Sequence, residues 1–296
     1  MKTNFKKRII KLIYRWIVLI LEYLLKKEII LSKYFYKYNF KLFQIALRGI
    51  GVGNCDNEGF YSGEINFLKS VSQKFNPNSE MIIFDVGANV GKYVEDVYAI
   101  FQNPTVYAFE PHPQNFHILS EKSLNKKVKI YNLGLGEIKE NSILYDMQEY
   151  NGGSLASIYK DVITQTHSQK EAIQYPISIT TLDDFCQEND IEKIHLLKID
   201  TEGNELRVLK GAERLIRENK LDIIQFEFIS MNTVSRTFLK DFLEILPNYK
   251  FYRLLTDGMV EIEYNDFNPV MGELFFYQNI VVINKNTEFF QNLFLE

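Results

Sequence analysis

The sequence predicts an α/β fold, a parallel and doubly wound sheet preceded by a helical extension. Two observations predict it. From Met81 onward, short and nearly continuous apolar runs alternate with segments of helical periodicity, the pattern of strands whose two faces are both covered by helices. The first of those runs breaks into a glycine turn, FDVGANVG at 84–91, where open α/β sheets hold ligands beyond the carboxyl ends of their strands.

MIIFDV (81–86) is the first strand and 92–101 its helix. TVYAFE (105–110) is the second strand, followed by a helix over 113–123, and VKIYNL (128–133) is the third. IHLLKID (194–200), a helix over about 205–217 and DIIQFEF (222–228) continue the alternation, and NIVVIN (279–284) closes the sheet. Between Leu135 and Ile191 the rhythm breaks. SILYDM (142–147) and ISITT (177–181) are extra strands around a Gly/Ser loop, EYNGGSLAS (149–157). TLDDF starts a helix with Thr181 as N-cap and Asp183 and Asp184 in the first turn. This insertion is expected on the substrate side, because loops at strand ends carry specificity.

The first residues differ from the rest, and the chain divides into a helical segment, 1–47, and the α/β domain, 48–296. Lys2, Lys6, Lys7 and Arg8 precede IIKLIYRWIVLILEYLLKKEIIL (9–31), whose longest uncharged piece is WIVLIL. That is far short of the ~20 residues a spanning helix needs, and no small-residue cleavage site follows. Lys11, Arg15, Glu22 and Lys26 fall near one helical face, while Ile9, Ile13, Trp16, Ile17, Ile20, Tyr23 and Leu24 cover the remainder. Two readings stand: a helix packed on its own domain or on a second subunit, and a peripheral membrane contact through residues 9–31. Hydrophobic residues at 46% and charged residues at 24% suit a packed core, and a net charge of −4 gives no global footprint for nucleic acid. Cys55 and Cys186 are the only cysteines and lack metal spacing, so a reducing, cytoplasmic setting is expected, with no zinc.

The glycine turn narrows the ligand. Gly87-x-x-x-Gly91 lacks the third glycine of a dinucleotide fingerprint, and Gly91-Lys92 is followed by Tyr93, which excludes a P-loop. Glu110 ends the next strand, where a carboxylate can accept hydrogen bonds from a ribose diol. An adenosyl group without a pyrophosphate cradle remains, and S-adenosylmethionine fits. Glycines at 87 and 91 are expected to let the backbone approach the ligand, and Asp85 to meet its ammonium group. The alternative is an ordinary strand–helix turn with a surface glutamate.

FDVGANVGKY, VYAFEPHPQNF, VKIYNLGLGE, ITTLDDF and LLKIDTEGNELRVLKGAERLI occur in this order. Together they resemble the FkbM family of S-adenosylmethionine-dependent methyltransferases over about residues 48–284, and GIGVGNCDNEGFYSGEINFL (49–68) resembles the segment preceding the core in some relatives. The resemblance implies a Rossmann-like methyltransferase sheet of order 3-2-1-4-5-7-6 with the last strand antiparallel. It also implies O-methylation of a hydroxyl, often on a sugar or polyketide. Asp85, Gly87, Asn89, Gly91 and Glu110 become cofactor contacts, with Ala88 and Pro111 alongside and Leu133 and Gly134 near the adenine. Glu137 stands where relatives often carry Asp.

A hydroxyl attacking a sulfonium methyl needs a base or a metal. Lys198 and Asp200 share one strand face, with Glu202 continuing the row if the strand runs so far, and Gln225 and Glu227 share a face of the neighbouring strand. Charges covered by helices are costly unless paired. Asp200 or Glu202 is therefore the expected proton acceptor, Lys198 its orienter and Glu227 a member of the cluster, against the alternative of a structural ion-pair network. No histidine has ligand spacing, and no metal is expected. His112 is a second candidate base at the mouth of the cofactor site. His195 reads as core, His167 as solvated, and Tyr150 and Tyr159 as acceptor-site aromatics. The expected acceptor is a glycan, a nucleotide-sugar or a similar small molecule, and a homo-oligomer is compatible. The rivals are an NAD-dependent sugar-modifying oxidoreductase, which the missing glycine opposes, and a non-catalytic cofactor-binding module.

Overall fold

The computed structural model describes residues 2–55, 61–122, 127–148, 152–168, 171–262 and 272–287. The chain forms two compact units, Met1–Ile50 and Gly51–Glu296. The first contains two α-helices, α1 (Lys2–Lys26) and α2 (Tyr36–Gly49).

The second unit is built on an eight-stranded sheet. Its strands are β1 (Met81–Val86), β2 (Pro104–Phe109), β3 (Val128–Tyr131), β7 (Ile194–Ile199), β8 (Leu221–Glu227), β9 (Tyr249–Leu255), β10 (Gly258–Ile262) and β11 (Asn279–Asn284). They lie in the order β10-β9-β11-β8-β7-β1-β2-β3. β3, β2, β1, β7 and β8 are mutually parallel, and β11 runs antiparallel between β8 and β9. Counted without β10, this is the 3-2-1-4-5-7-6 order that the resemblance implied. The β9–β10 hairpin lengthens the edge beyond what the periodicity indicated.

Alternation along β1 shows why the strands read as continuous apolar runs. Phe84 and Val86 enter one core and Ile83 the other, so both faces are apolar apart from Asp85 near the strand's end. On one side lie α3 (Glu64–Lys74) and α4 (Lys92–Ile100), through Leu68, Val71, Val94 and Val97. α5 (Pro113–Lys122) adds Leu119 there. On the other side lie α6 (Leu182–Glu188), α7 (Glu205–Lys210) and α8 (Glu213–Arg217). Phe185 of α6 sets its edge against Phe109 at 4.7 Å and Tyr131 at 4.8 Å between centroids, a geometry aromatic quadrupoles favour.

Two sequence expectations change, and the extra strands expected in the insertion are present. The helix expected over 205–217 is two helices, broken at Gly211–Ala212. The strand expected to reach Asp200 stops at Ile199. The insertion forms its own three-stranded sheet, with β4 (Gly134–Leu135), β5 (Glu140–Met147) and β6 (Ala172–Thr180) in the order β4-β6-β5. Thr181 caps α6 as expected, its hydroxyl accepting the Asp184 N–H at 3.0 Å.

Candidate active site

The glycine turn is held by its neighbours on both sides. Gly87 and Ala88 donate their N–H groups to the Phe109 carbonyl, each at 3.0 Å, and Asp200 donates to the Val86 carbonyl at 2.9 Å. The turn needs left-handed backbone at Gly87 (φ 83°), Asn89 (φ 48°) and Gly91 (φ 87°). A Cβ at Gly87 would meet the Asp200 carbonyl oxygen at 1.8 Å, and one at Gly91 would meet Leu119 Cδ1 at 2.6 Å. The glycines thus admit the β7 end and α5. Glu110 turns toward the bend. Its Oε2 accepts the Asn89 N–H and its Oε1 the His112 N–H, both at 2.7 Å. Burial pushes its pKa up to about 7 against the pull of those two donors.

Beyond this turn a cleft opens at the carboxyl ends of the strands, where open α/β sheets hold their ligands. Gly87, Asn89, Glu110, Pro111, Leu133 and Gly134 line it, with Leu135 beside them and Leu144, Ile177 and Ile179 from the inserted sheet. The insertion expected on the substrate side therefore supplies an apolar wall to this cleft. Four buried acceptor atoms lack a hydrogen-bond partner here: Asn89 Oδ1, Asn115 Oδ1, Asn204 Oδ1 and Glu202 Oε2. Asn115 and Asn204 spend their amide N–H groups on the carbonyls of Gly153 (3.5 Å) and Leu135 (3.0 Å). Such orphaned acceptors are costly and are the complement of a ligand rich in N–H and O–H donors.

Asp85, Ala88 and Gly91, expected as cofactor contacts, do not line this cleft. Alternation turns Asp85 to the opposite face. The register aligns it with Lys198 on β7 and Gln225 on β8. Lys198 Nζ lies 3.0 Å from Asp200 Oδ2 and 3.8 Å from Asp85 Oδ1, and 5.1 Å above the Tyr93 ring centre. Gln225 donates to Glu64 Oε1 on α3 at 2.7 Å.

Lys198, Asp200 and Glu64 of this group line a second, open cavity together with Tyr93, Glu227, Phe276 and Tyr277. Asp200, Glu202 and Ser154 line both cavities. Glu202 reaches the junction from a left-handed backbone (φ 51°) past the strand end, not by continuing the strand row. Burial, with Asp200 adding to it, holds Glu202 and Glu227 well above the usual carboxylate range. Burial raises Glu64 and lifts Asp85 to about 6. For Lys198 burial works against the ammonium, but Asp200, Asp85 and Glu64 outweigh it and hold the lysine charged. Among the described residues no group of three or more His, Cys, Asp or Glu side chains is arranged to hold a metal ion.

The methyltransferase FkbM domain, as a family model, matches residues 85–252, more than half of the chain. The chain belongs to the FkbM methyltransferase family. It is 29% identical to the 31-O-demethyl-FK506 methyltransferase FkbM of Streptomyces tacrolimicus over 159 residues, 45% of this chain and 59% of that protein. It is 24% identical to the hexuronic acid methyltransferase AglP of Haloferax volcanii over 146 residues, 49% of this chain and 55% of that protein. The chain thus spans a little over half the length of these relatives. A solved METTL16 methyltransferase domain aligns at 10% identity with a TM-score of 0.43, over 78% of this chain and 70% of that one.

Other expected residues of this FkbM-family chain are placed differently. His112 is not at the mouth of the site. It is fully buried, with Nδ1 accepting the Gln114 N–H at 3.2 Å and Nε2 lying 3.3 Å from Asp146 Oδ2. Tyr159 lines neither cavity, and Tyr150 lies outside the described residues, as do 56–60 of the segment preceding the core. His195 accepts the Ile82 N–H at 2.9 Å. His167, expected in solvent, is half-buried, and burial lowers its pKa. Glu64, Asn115, Asn204 and Tyr277 were not singled out by sequence. Glu64, Asn115 and Asn204 fall in the quoted segments GEINFL, VYAFEPHPQNF and LLKIDTEGNELRVLKGAERLI, but those segments do not show their partners: Gln225, which meets Glu64, is 161 residues away.

Proposed function

We propose that this chain transfers the methyl group of S-adenosylmethionine to a hydroxyl of a neutral, sugar-like acceptor. The observation that carries this reading is the meeting of the two cavities at Asp200 and Glu202. One is apolar-walled and edged by orphaned acceptors, and the other is polar and aromatic. A donor and an acceptor bound in separate chambers with one shared boundary is what transfer requires.

The residues of the first cleft fit the cofactor. Glu110 suits the ribose diol, the aliphatic wall of Leu133, Leu135, Ile177 and Ile179 suits the adenine, and the free amide oxygens suit amine donors. When bound there, S-adenosylmethionine supplies a methyl group activated by a positively charged sulfur. Glu202 Oε2, unpartnered and buried, takes the acceptor's hydroxyl proton when the carboxyl is ionised, and burial strengthens its hold on that proton. Lys198 fixes the Asp200 carboxylate at the boundary. Glu64 and Glu227 accept hydrogen bonds from acceptor hydroxyls, while Tyr93, Phe276 and Tyr277 offer faces for a sugar ring.

The two lysines lining the second cavity are already paired, Lys198 with Asp200 and Asp85 and Lys92 with Asp96, so this lining is poorly suited to an anionic acceptor. The reading therefore departs from the hexuronic acid of the AglP name and keeps only a hydroxyl-rich acceptor. The test is methyl-labelled cofactor with a panel of neutral glycosides and uronates. Label is expected on neutral glycosides, with Glu202→Gln lowering turnover by roughly 10²–10⁴. Preferential labelling of uronates, tight NAD binding in place of S-adenosylmethionine, or full turnover by the variant would overturn the assignment.

A further inference from the structure

We propose that the N-terminal unit is a membrane-surface anchor whose two helices lie in the interface of an anionic phospholipid bilayer. Within this unit no described residue from 8 to 50 is buried. The unit itself leaves large apolar side chains uncovered along both helices, among them Ile13 (51% exposed), Trp16 (61%) and Ile20 (55%) on α1, and Phe40 (50%), Phe43 (51%) and Ile45 (55%) on α2. A patch of this size on a water-soluble surface marks an interaction site.

The charge identifies the occupant. Residues 1–50 hold twelve Lys and Arg against two Glu, a net +10, whereas the remaining 246 residues carry 22 basic and 36 acidic side chains, a net −14. Pairing with the same unit of a second copy would bring +10 against +10, and an apolar protein groove would leave the charge unanswered. An anionic lipid surface answers both the charge and the apolar area. The arrangement agrees. At 100° per residue, Arg8, Lys11, Arg15, Glu22 and Lys26 form one narrow stripe on α1. Lys37, Lys41, Gln44 and Arg48 form another on α2, which has no acidic residue. The rest of each helix is predominantly apolar, so each can sink its apolar side while its basic stripe stays at headgroup level. No described helix is long and apolar enough to cross a membrane, so the contact lies along the surface.

Trp16 is the only tryptophan of the chain, so the full-length protein carries its own reporter. Its fluorescence is measured with vesicles of phosphatidylcholine alone and of phosphatidylcholine mixed with phosphatidylglycerol. A blue shift and quenching by brominated acyl chains are expected with the anionic vesicles, weakening as salt rises. Lys11→Glu combined with Arg15→Glu weakens vesicle binding roughly tenfold or more, with the melting temperature of the α/β unit unchanged. The proposal fails if the chain pellets with vesicles while Trp16 emission stays put. It fails equally if binding ignores lipid charge and the double substitution. Emission that is blue without lipid and deepens with protein concentration would assign the surface to a second copy instead.

Discussion

Glu110→Gln tests the cofactor reading most directly. The wild-type carboxylate accepts one backbone N–H on each oxygen, from Asn89 and His112 at 2.7 Å. Glutamine keeps one acceptor oxygen and sets its NH₂ against the other N–H, which costs roughly 1–3 kcal/mol. The effect depends on pH. Burial raises the folded-state pKa from 4.5 to about 7, so the folded state binds the proton more tightly than the unfolded chain. The stability linked to that proton is fully present below 4.5 and is lost as pH rises through about 7, a change of about 3 kcal/mol. Denaturant titrations at pH 5 and pH 8.5 should therefore show the wild type losing stability relative to the variant by about that amount. Wild-type affinity for S-adenosylmethionine should rise across the same interval, because the ribose diol donates to the ionised form. The variant should bind roughly 10–100-fold more weakly at pH 8 and lose that pH dependence. Equal pH slopes of stability, together with unchanged affinity, would refute both the burial argument and the ribose assignment.

Three further outcomes are expected. Gly87→Ala combines a left-handed backbone with a Cβ 1.8 Å from the Asp200 carbonyl oxygen. It should cost at least about 2 kcal/mol and reduce turnover, as thermal melts and rates will show; a melt matching wild type would contradict the close approach. Lys198→Met strips the cation from Asp85, whose oxygens have no hydrogen-bond partner, and should cost about 3–5 kcal/mol near pH 8. Because burial already lifts Asp85 to about 6, the loss should shrink as acid neutralises that carboxylate, and a pH-independent loss would point to packing instead. Asp183→Ala removes the acceptor of the Arg214 and Leu215 N–H groups, at 2.7 and 3.1 Å. It should cost about 1–2 kcal/mol with cofactor affinity unaltered, and a change confined to affinity would show that Asp183 acts on the site.

The local parts of this protein were legible in its sequence. Apolar runs with no polar stripe announced strands covered on both faces, and Thr181 announced the start of α6. The glycine turn and Glu110 were marked by backbone demands and spacing that neighbouring residues express. Their cause was less legible. Gly87 is a glycine because the β7 end passes 1.8 Å from where its Cβ would lie, and Asp85 faces Lys198 because two strands far apart in sequence share a register. The cofactor cleft and the acceptor cavity were decided by tertiary structure alone. Glu64, Tyr93, Lys198, Glu227 and Tyr277 come from α3, α4, β7, β8 and the approach to β11. Periodicity reports which way a side chain points within one element. Only the folding of the sheet, driven by burial of its two apolar faces, brings side chains from five elements around one space.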